Sequence, residues 1–210
     1  MENIFLTSTV SLSAKDIVKR FGIKGKLVFI TTASEPKAEK SDLTWQKEDW
    51  NALEDAGFEI FGYTITGKNK EQIKKDLRDV DVIYVSGGSS FYLLKKMKES
   101  GFDKLINDFM EKGKIYIGTS AGSIVAGADI YPTYHLDYIE EVKNLKDCRG
   151  LNLVDFTVFP HWGSEHFRDR YLNQKLEHAY KLGYKIILLN DNQYIAVGGN
   201  KYRIIDVTKD

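Results

Sequence analysis

Short apolar runs rich in β-branched and aromatic residues recur along this chain, and stretches with helical spacing fill the gaps between them. Residues 3–7, 26–32 (KLVFITT), 58–64, 81–85 (DVIYV) and 114–117 (KIYI) read as strands. Helices are expected over 13–21, capped by a serine, over 41–56, ending at Gly57, and over 70–77, 91–98 and 103–111. Strands that are apolar throughout and alternate with helices are buried on both faces. The pattern therefore specifies a three-layer α/β fold, a mostly parallel sheet with helices on both faces. The second half is less regular. Residues 131–151 show weak periodicity and read as loops with short elements. Residues 155–159 read as a strand ending at Pro160, 165–181 have helical spacing, and 185–189 (KIILL) read as a further strand. Residues 194–197 and 202–207 flank Gly198, Gly199 and Asn200, which predicts a C-terminal β-hairpin. Neither a repeat nor a low-complexity tract nor a linker is visible, so residues 1–210 are expected to form a single α/β domain.

Composition narrows the function classes. Lys+Arg and Asp+Glu each number 30, so the chain is formally neutral and lacks the basic excess of a nucleic-acid binder. The lysines of 68–75 are interleaved with acidic and polar residues at helical spacing and read as a solvated helix face. The N-terminus has no basic segment followed by a long apolar run, and no stretch approaches the roughly 18 apolar residues of a membrane span. A lone cysteine, Cys148, forms no intramolecular disulfide, fits a reducing compartment and reads as a structural or surface thiol. The expectation is a cytoplasmic protein that engages neither nucleic acid nor membrane.

The sharpest local signal is Gly118-Thr119-Ser120-Ala121-Gly122, a G-x-S-x-G pattern with a strand before it and a helix-compatible run after it. A serine in a tight strand-to-helix turn takes a strained backbone and projects its Oγ above the sheet edge. Small flanking residues let the chain turn and let a substrate approach. The next amide, that of Ala121, then points at an incoming carbonyl oxygen. The bland alternative is a tight turn with small packing residues. A second glycine turn, Ser86-Gly87-Gly88-Ser89, follows the strand DVIYV. In a parallel sheet the C-terminal ends of neighbouring strands lie side by side, so the Gly88 amide could complete an oxyanion hole with that of Ala121. A phosphate cradle is the alternative, although neither a P-loop nor a full G-x-G-x-x-G is present.

A nucleophilic serine needs a base, and four histidines are available: His135, His161, His166 and His178. His178 lies mid-helix and reads as a surface residue, His135 falls in the irregular segment, and His166 begins a helix. His161 directly follows a strand and Pro160, on the edge where Ser120 also lies, and is the best base. Asp191 ends the next strand on the same edge and is the best partner for the second imidazole nitrogen. Glu165 and Asp169 are rivals that better fit the start of a helix, and Asp155 lies at the wrong end of its strand. The order serine, histidine, acid differs from the serine, acid, histidine order of α/β-hydrolases.

VSGG at 85–88, GTSAGS at 118–123, Pro160-His161 and the segment 189–197 around Asp191 together resemble the peptidase E family of α-aspartyl dipeptidases, and the similarity covers most of the chain. The resemblance implies a class I glutamine-amidotransferase-like fold and a serine-type peptidase. Ser120 would be the nucleophile, His161 the base and Asp191 the orienting acid, with Gly88 and Ala121 as the oxyanion hole. It implies no metal and no organic cofactor. Two positions depart from the family pattern: Ser89 stands where Asn or Asp often follows the glycine pair, and Asp191-Asn192 replaces Glu-Gly. The expected substrate is a short peptide, in particular a dipeptide with N-terminal Asp. Arg168 and Arg170 are candidates for its carboxylate, against the reading of a solvated helix face. Trp162 and Tyr134 are candidate pocket aromatics, against a place in the core. A cyanophycinase-like hydrolase of unusual aspartyl amides, or a catalytically silent small-molecule binding domain, are the alternatives. Self-association as a homodimer is left open.

Overall fold

The computed structural model describes residues 2–37, 42–134, 145, 147–199 and 201–209. Five parallel strands form the body of a seven-stranded sheet. They are β1 (Ile4–Thr7), β2 (Lys26–Ile30), β3 (Glu59–Tyr63), β4 (Val82–Val85) and β5 (Ile115–Thr119). A separate pair follows, β6 (Thr157–Phe159) with β7 (Ile186–Leu188), and the chain closes with β8 (Gln193–Gly198) and β9 (Lys201–Asp206). The spatial order is β3-β2-β4-β5-β1-β8-β9, with β8 antiparallel to β1 and β9 antiparallel to β8. This is the three-layer, mostly parallel architecture expected from the sequence, with its C-terminal hairpin.

Side-chain alternation along the central strands divides the core in two. Leu6, Val28, Ile30, Ile83 and Val85 face one layer, while Phe5, Leu27, Phe29, Val82 and Tyr84 face the other. α5 (Phe102–Glu111) presents Phe102, Leu105, Ile106 and Phe109 to the first layer, at the i, i+3, i+4, i+7 spacing of one helix face. α1 (Val10–Phe21) presents Val10, Ala14 and Ile17 to the second, and α2 (Thr44–Asp55) adds Leu53. α3 (Lys70–Asp76), α4 (Ser90–Ser100) and α6 (Ala121–Val125) complete the helices of the first half.

Several boundaries differ from the sequence reading, each for a local reason. α1 begins at Val10, and Ser13 lies inside it, its hydroxyl donating back to the carbonyls of Thr9 and Val10. The strand over 26–32 stops at Ile30 because a 3-10 turn, Thr32–Lys37, takes over. The expected start of the 41–56 helix at Ser41 lies outside the described residues, as does Asn200 in the hairpin turn. The helical stretch after Pro160 is not uniform: a 3-10 turn (Glu165–Phe167) and a short α-turn (Arg168–Arg170) lead into a π-helical turn (Tyr171–Lys175) and then an α-helix (Leu176–Leu182). Among the described residues β6 and β7 pair only with each other, Phe159 opposite Leu188, beside the main sheet.

This topology gathers the site. Thr7 pairs with Thr119 and Val85 with Gly118, so the C-terminal ends of β1, β4 and β5 are adjacent. The chain that leaves these ends carries Ser8, Gly87 and Ser120. The ends of β6 and β7 bring His161 and Asp191 to the same edge.

Candidate active site

The serine turn shows why its pattern needs small residues. Ser120 holds φ 49° and ψ −106°, a strained combination for a residue with a Cβ. A Cβ at Gly118 would lie 2.6 Å from the Gly122 carbonyl, and one at Gly122 would lie 2.1 Å from the Val85 oxygen. The turn is held from below. Ser120 N–H donates to Thr7 O at 3.1 Å, and Ser123 Oγ donates to Thr7 O and Gly118 O, each at 2.8 Å.

Three side chains form a line at this edge. His161 Nε2 is 3.0 Å from Ser120 Oγ, and His161 Nδ1 is 2.7 Å from Asp191 Oδ1. A carboxylate opposite Nδ1 places the proton there, which leaves Nε2 as an acceptor for the serine hydroxyl. His161 itself sits at φ 61°, and its ring stacks on Phe167 at 4.7 Å and 10°. Ser8 ties the group together: its Oγ accepts from His161 N–H at 2.7 Å and donates to Asp191 Oδ1 at 2.7 Å. Thr9 Oγ1 donates to the same oxygen at 3.0 Å. The bond from His161, against a smaller opposing effect of burial and with help from Ser8, lowers the Asp191 carboxyl to about 2. Asp191 is therefore ionised across the neutral range.

Ser120 and His161 open on a cavity of about 350 Å³. Gly87 and Gly88 form one side of it. Gly88 has φ 137°, and a Cβ there would lie 2.1 Å from Ala33 O, so the turn requires glycine. Ala121 is the first residue of α6, where an amide has no intrahelical acceptor. Trp45 and Asp49 of α2 form a second wall, and Phe167, Arg170, Tyr171 and Lys175 a third. Lys175 is 6 % exposed, with Nζ 5.0 Å from the Tyr171 ring centre, and burial followed by the charge of Arg170 lowers its ammonium to about 8. Burial pushes the Asp49 carboxyl up to about 6.

Of the residues singled out in the sequence, Ser120, His161 and Asp191 come together, with Gly88 and Ala121 beside them. Arg170 reaches the cavity wall, whereas Arg168 is exposed and pairs with Glu165 at 3.4 Å. His166 also lines the cavity. His178 is not the free surface residue expected: it packs edge-on against Tyr131 at 4.7 Å and beside Tyr134 at 5.9 Å. Tyr134 packs against Phe91 rather than in this cavity, and Trp162 lines a different one, of about 270 Å³. Cys148 is half-buried and away from the site, and His135 lies outside the described residues. Lys175 and Asp49 were not anticipated. Each interrupts an otherwise apolar stripe of a helix, Tyr171-Lys175-Ala179 and Asp49-Leu53, and a charge on a buried stripe is the sequence signal that marks them.

The chain is similar to several known proteins. The model of Peptidase family S51 matches residues 6–205. An uncharacterized peptidase of Listeria monocytogenes, Lmo0363, is 34% identical over 208 residues, covering 96% of this chain and 97% of its own. Peptidase E of Shewanella denitrificans is 34% identical over 94 residues, 45% of this chain and 38% of its own. A 1.5 Å crystal structure provisionally assigned to peptidase E, from Listeria monocytogenes EGD-e, superposes with a TM-score of 0.85 at 28% identity, covering 98% of both chains. A peptidase from an acI-B1 actinobacterium shares the fold, with a TM-score of 0.73 at 15% identity, over 98% of this chain and 88% of that one. The α/β sheet with its serine turn is thus that of a serine-type peptidase. The chain belongs to Peptidase family S51, the peptidase E family.

Proposed function

We propose that this peptidase hydrolyses amide bonds in short peptides through Ser120, His161 and Asp191. The observation that carries the reading is the unbroken line from Asp191 Oδ1 through the imidazole to Ser120 Oγ, with contacts of 2.7 and 3.0 Å. Ser120 Oγ attacks the scissile carbonyl carbon while His161 Nε2 takes its proton. The same nitrogen then protonates the leaving amine, and water releases the acyl group by the reverse route. Asp191 holds the imidazole tautomer and stabilises the imidazolium. The amides of Gly88 and Ala121 receive the oxyanion, each worth about 2.7–4 kcal/mol of barrier in comparable sites. Hydrolysis by this route requires neither metal nor organic cofactor.

The cavity supports a small, acidic substrate. A volume of about 350 Å³ is at the lower end for small-molecule sites and suits a dipeptide. Lys175 and Arg170 give one wall positive charge, which favours a carboxylate and hence an N-terminal Asp. The lone cysteine and the chain's composition support a cytoplasmic site of action. Among the described residues no helix is long and apolar enough to cross a membrane.

The test is release of free amino acid from a panel of dipeptides and tripeptides, with and without N-terminal Asp, by the wild type and Ser120→Ala. Cleavage confined to Asp-first peptides and lost in the variant is expected. Serine-dependent cleavage of other peptides would keep the chemistry and overturn the specificity, and unchanged cleavage by Ser120→Ala would remove the triad.

A further inference from the structure

Among the described residues lining the cavity, one is an acid, Asp49. It is 3 % exposed, yet its functions within the fold do not need its charge. Its Oδ1 accepts from the Ser11 amide at 3.3 Å and its Oδ2 from the Tyr84 hydroxyl at 2.7 Å. An amide and a phenol can also donate to a neutral acceptor, although they bind an ionised one more strongly. These two bonds use about half of a carboxylate's acceptor capacity. Asp49 forms no ion pair with Lys or Arg among the described residues. A buried carboxylate without a Lys or Arg partner destabilises a fold, so its presence in a substrate cavity points to a cation that arrives with the ligand.

Its position fits one cation in particular. Trp45 lies one helical turn before Asp49 on the same wall, and Gly87 is the thin spacer between that wall and the serine. A Cβ at Gly87 would be 3.4 Å from both Ser120 Cβ and Trp45 Cζ3. In a peptide cleaved after its first residue, the α-ammonium nitrogen is two bonds from the attacked carbonyl carbon, roughly 2.5 Å away. A group that reads this ammonium must therefore border the serine. The opposite charges, Lys175 and Arg170, stand on a different wall.

We propose that Asp49 binds the α-ammonium of the substrate's first residue and so confines cleavage to the first peptide bond. This deepens the peptidase reading above and rests on it. The cavity is then bipolar: Asp49 holds the ammonium, while Lys175 and Arg170 hold a side-chain carboxylate. The raised carboxyl of Asp49 agrees with a site that completes its electrostatics only when a cation is bound.

The experiment compares aspartyl 4-nitroanilide with succinyl 4-nitroanilide, which has the same carboxylate and scissile bond but no α-ammonium. Wild type and Asp49→Asn are assayed on both, and near-UV circular dichroism checks the variant's fold. Wild type is expected to favour the aspartyl compound by about 30-fold or more in kcat/KM, the size of a desolvated charge pair. Asp49→Asn should bring the two compounds to within about 3-fold of each other by lowering the aspartyl rate alone. A purely structural role would lower both rates together and keep their ratio, which overturns the proposal. Equal rates on the two compounds in wild type overturn it whether or not the variant folds. Cleavage of neither compound by wild type would instead refute the aspartyl peptidase reading on which it rests.

Discussion

Asp49→Asn should alter how stability depends on pH, in a direction fixed by burial. The Asp49 carboxyl rises from an ordinary 3.8 to about 6 in the folded chain, because burial disfavours its charged form. A carboxyl that binds its proton more tightly when folded contributes a stability that is fully present at low pH. That stability is lost as pH rises from 3.8 to about 6 and is constant above. The full penalty above pH 6 is about 3 kcal/mol for a shift of this size. Between pH 4.5 and 8, about 2 kcal/mol of it develops. Asparagine carries no charge and cannot show this loss. It also gives up one of the two acceptor bonds, a pH-independent cost of about 1 kcal/mol that cancels when one pH is compared with another. Urea unfolding of both proteins at several values from pH 4.5 to 8 provides the measurement. Wild type should lose about 2 kcal/mol more than Asp49→Asn over that interval. Parallel curves would refute the claim that Asp49 is buried as a charge, and with it the argument that the fold bears this cost for its substrate.

Other consequences are more direct. Asp191→Asn should lower kcat by as much as about 10⁴ with little change in KM, since the imidazole loses its orienting acceptor; steady-state kinetics on a cleaved peptide decides, and an unchanged kcat would point to another acid. Gly88→Ala places a Cβ 2.1 Å from Ala33 O and must move the turn; kcat should fall about 10²-fold or more while thermal unfolding drops by a few degrees. Lys175→Met should reduce kcat/KM for Asp-first peptides about 30-fold and leave any activity on neutral-first peptides as it was; equal loss on both would assign Lys175 to packing.

Much of the fold was legible because the central strands are buried on both faces and so read as continuous apolar runs. KLVFITT, DVIYV and KIYI need no tertiary information to be recognised. Gly118 and Gly122 are small because Val85 and the chain's own turn leave no space, and that crowding appears in sequence as G-x-S-x-G. His161 and Asp191 could be chosen because each ends a strand, even though β6 and β7 pair beside the main sheet rather than within it. What sequence periodicity could not show was set by contacts between distant segments. The π-turn at Tyr171–Lys175 breaks a regular helical pattern and turns Lys175 towards the cavity wall. Tyr171 packs near Phe159 at 5.7 Å, and its hydroxyl donates to the Pro160 carbonyl. Ser8 joins His161 and Asp191 across 153 and 183 residues of chain, a role no local pattern records. Asp49 and Lys175 are charges on apolar stripes, but only the assembled cavity shows that both line the space onto which Ser120 opens.

Activation of Ser120 by His161 can be read by treating the protein with a fluorophosphonate and locating the adduct by mass spectrometry, alongside His161→Ala. A single adduct on Ser120 is expected, formed rapidly in wild type and slowed by orders of magnitude in the variant. Absence of labelling at Ser120 in the folded wild type, or labelling that is indifferent to His161, would contradict it.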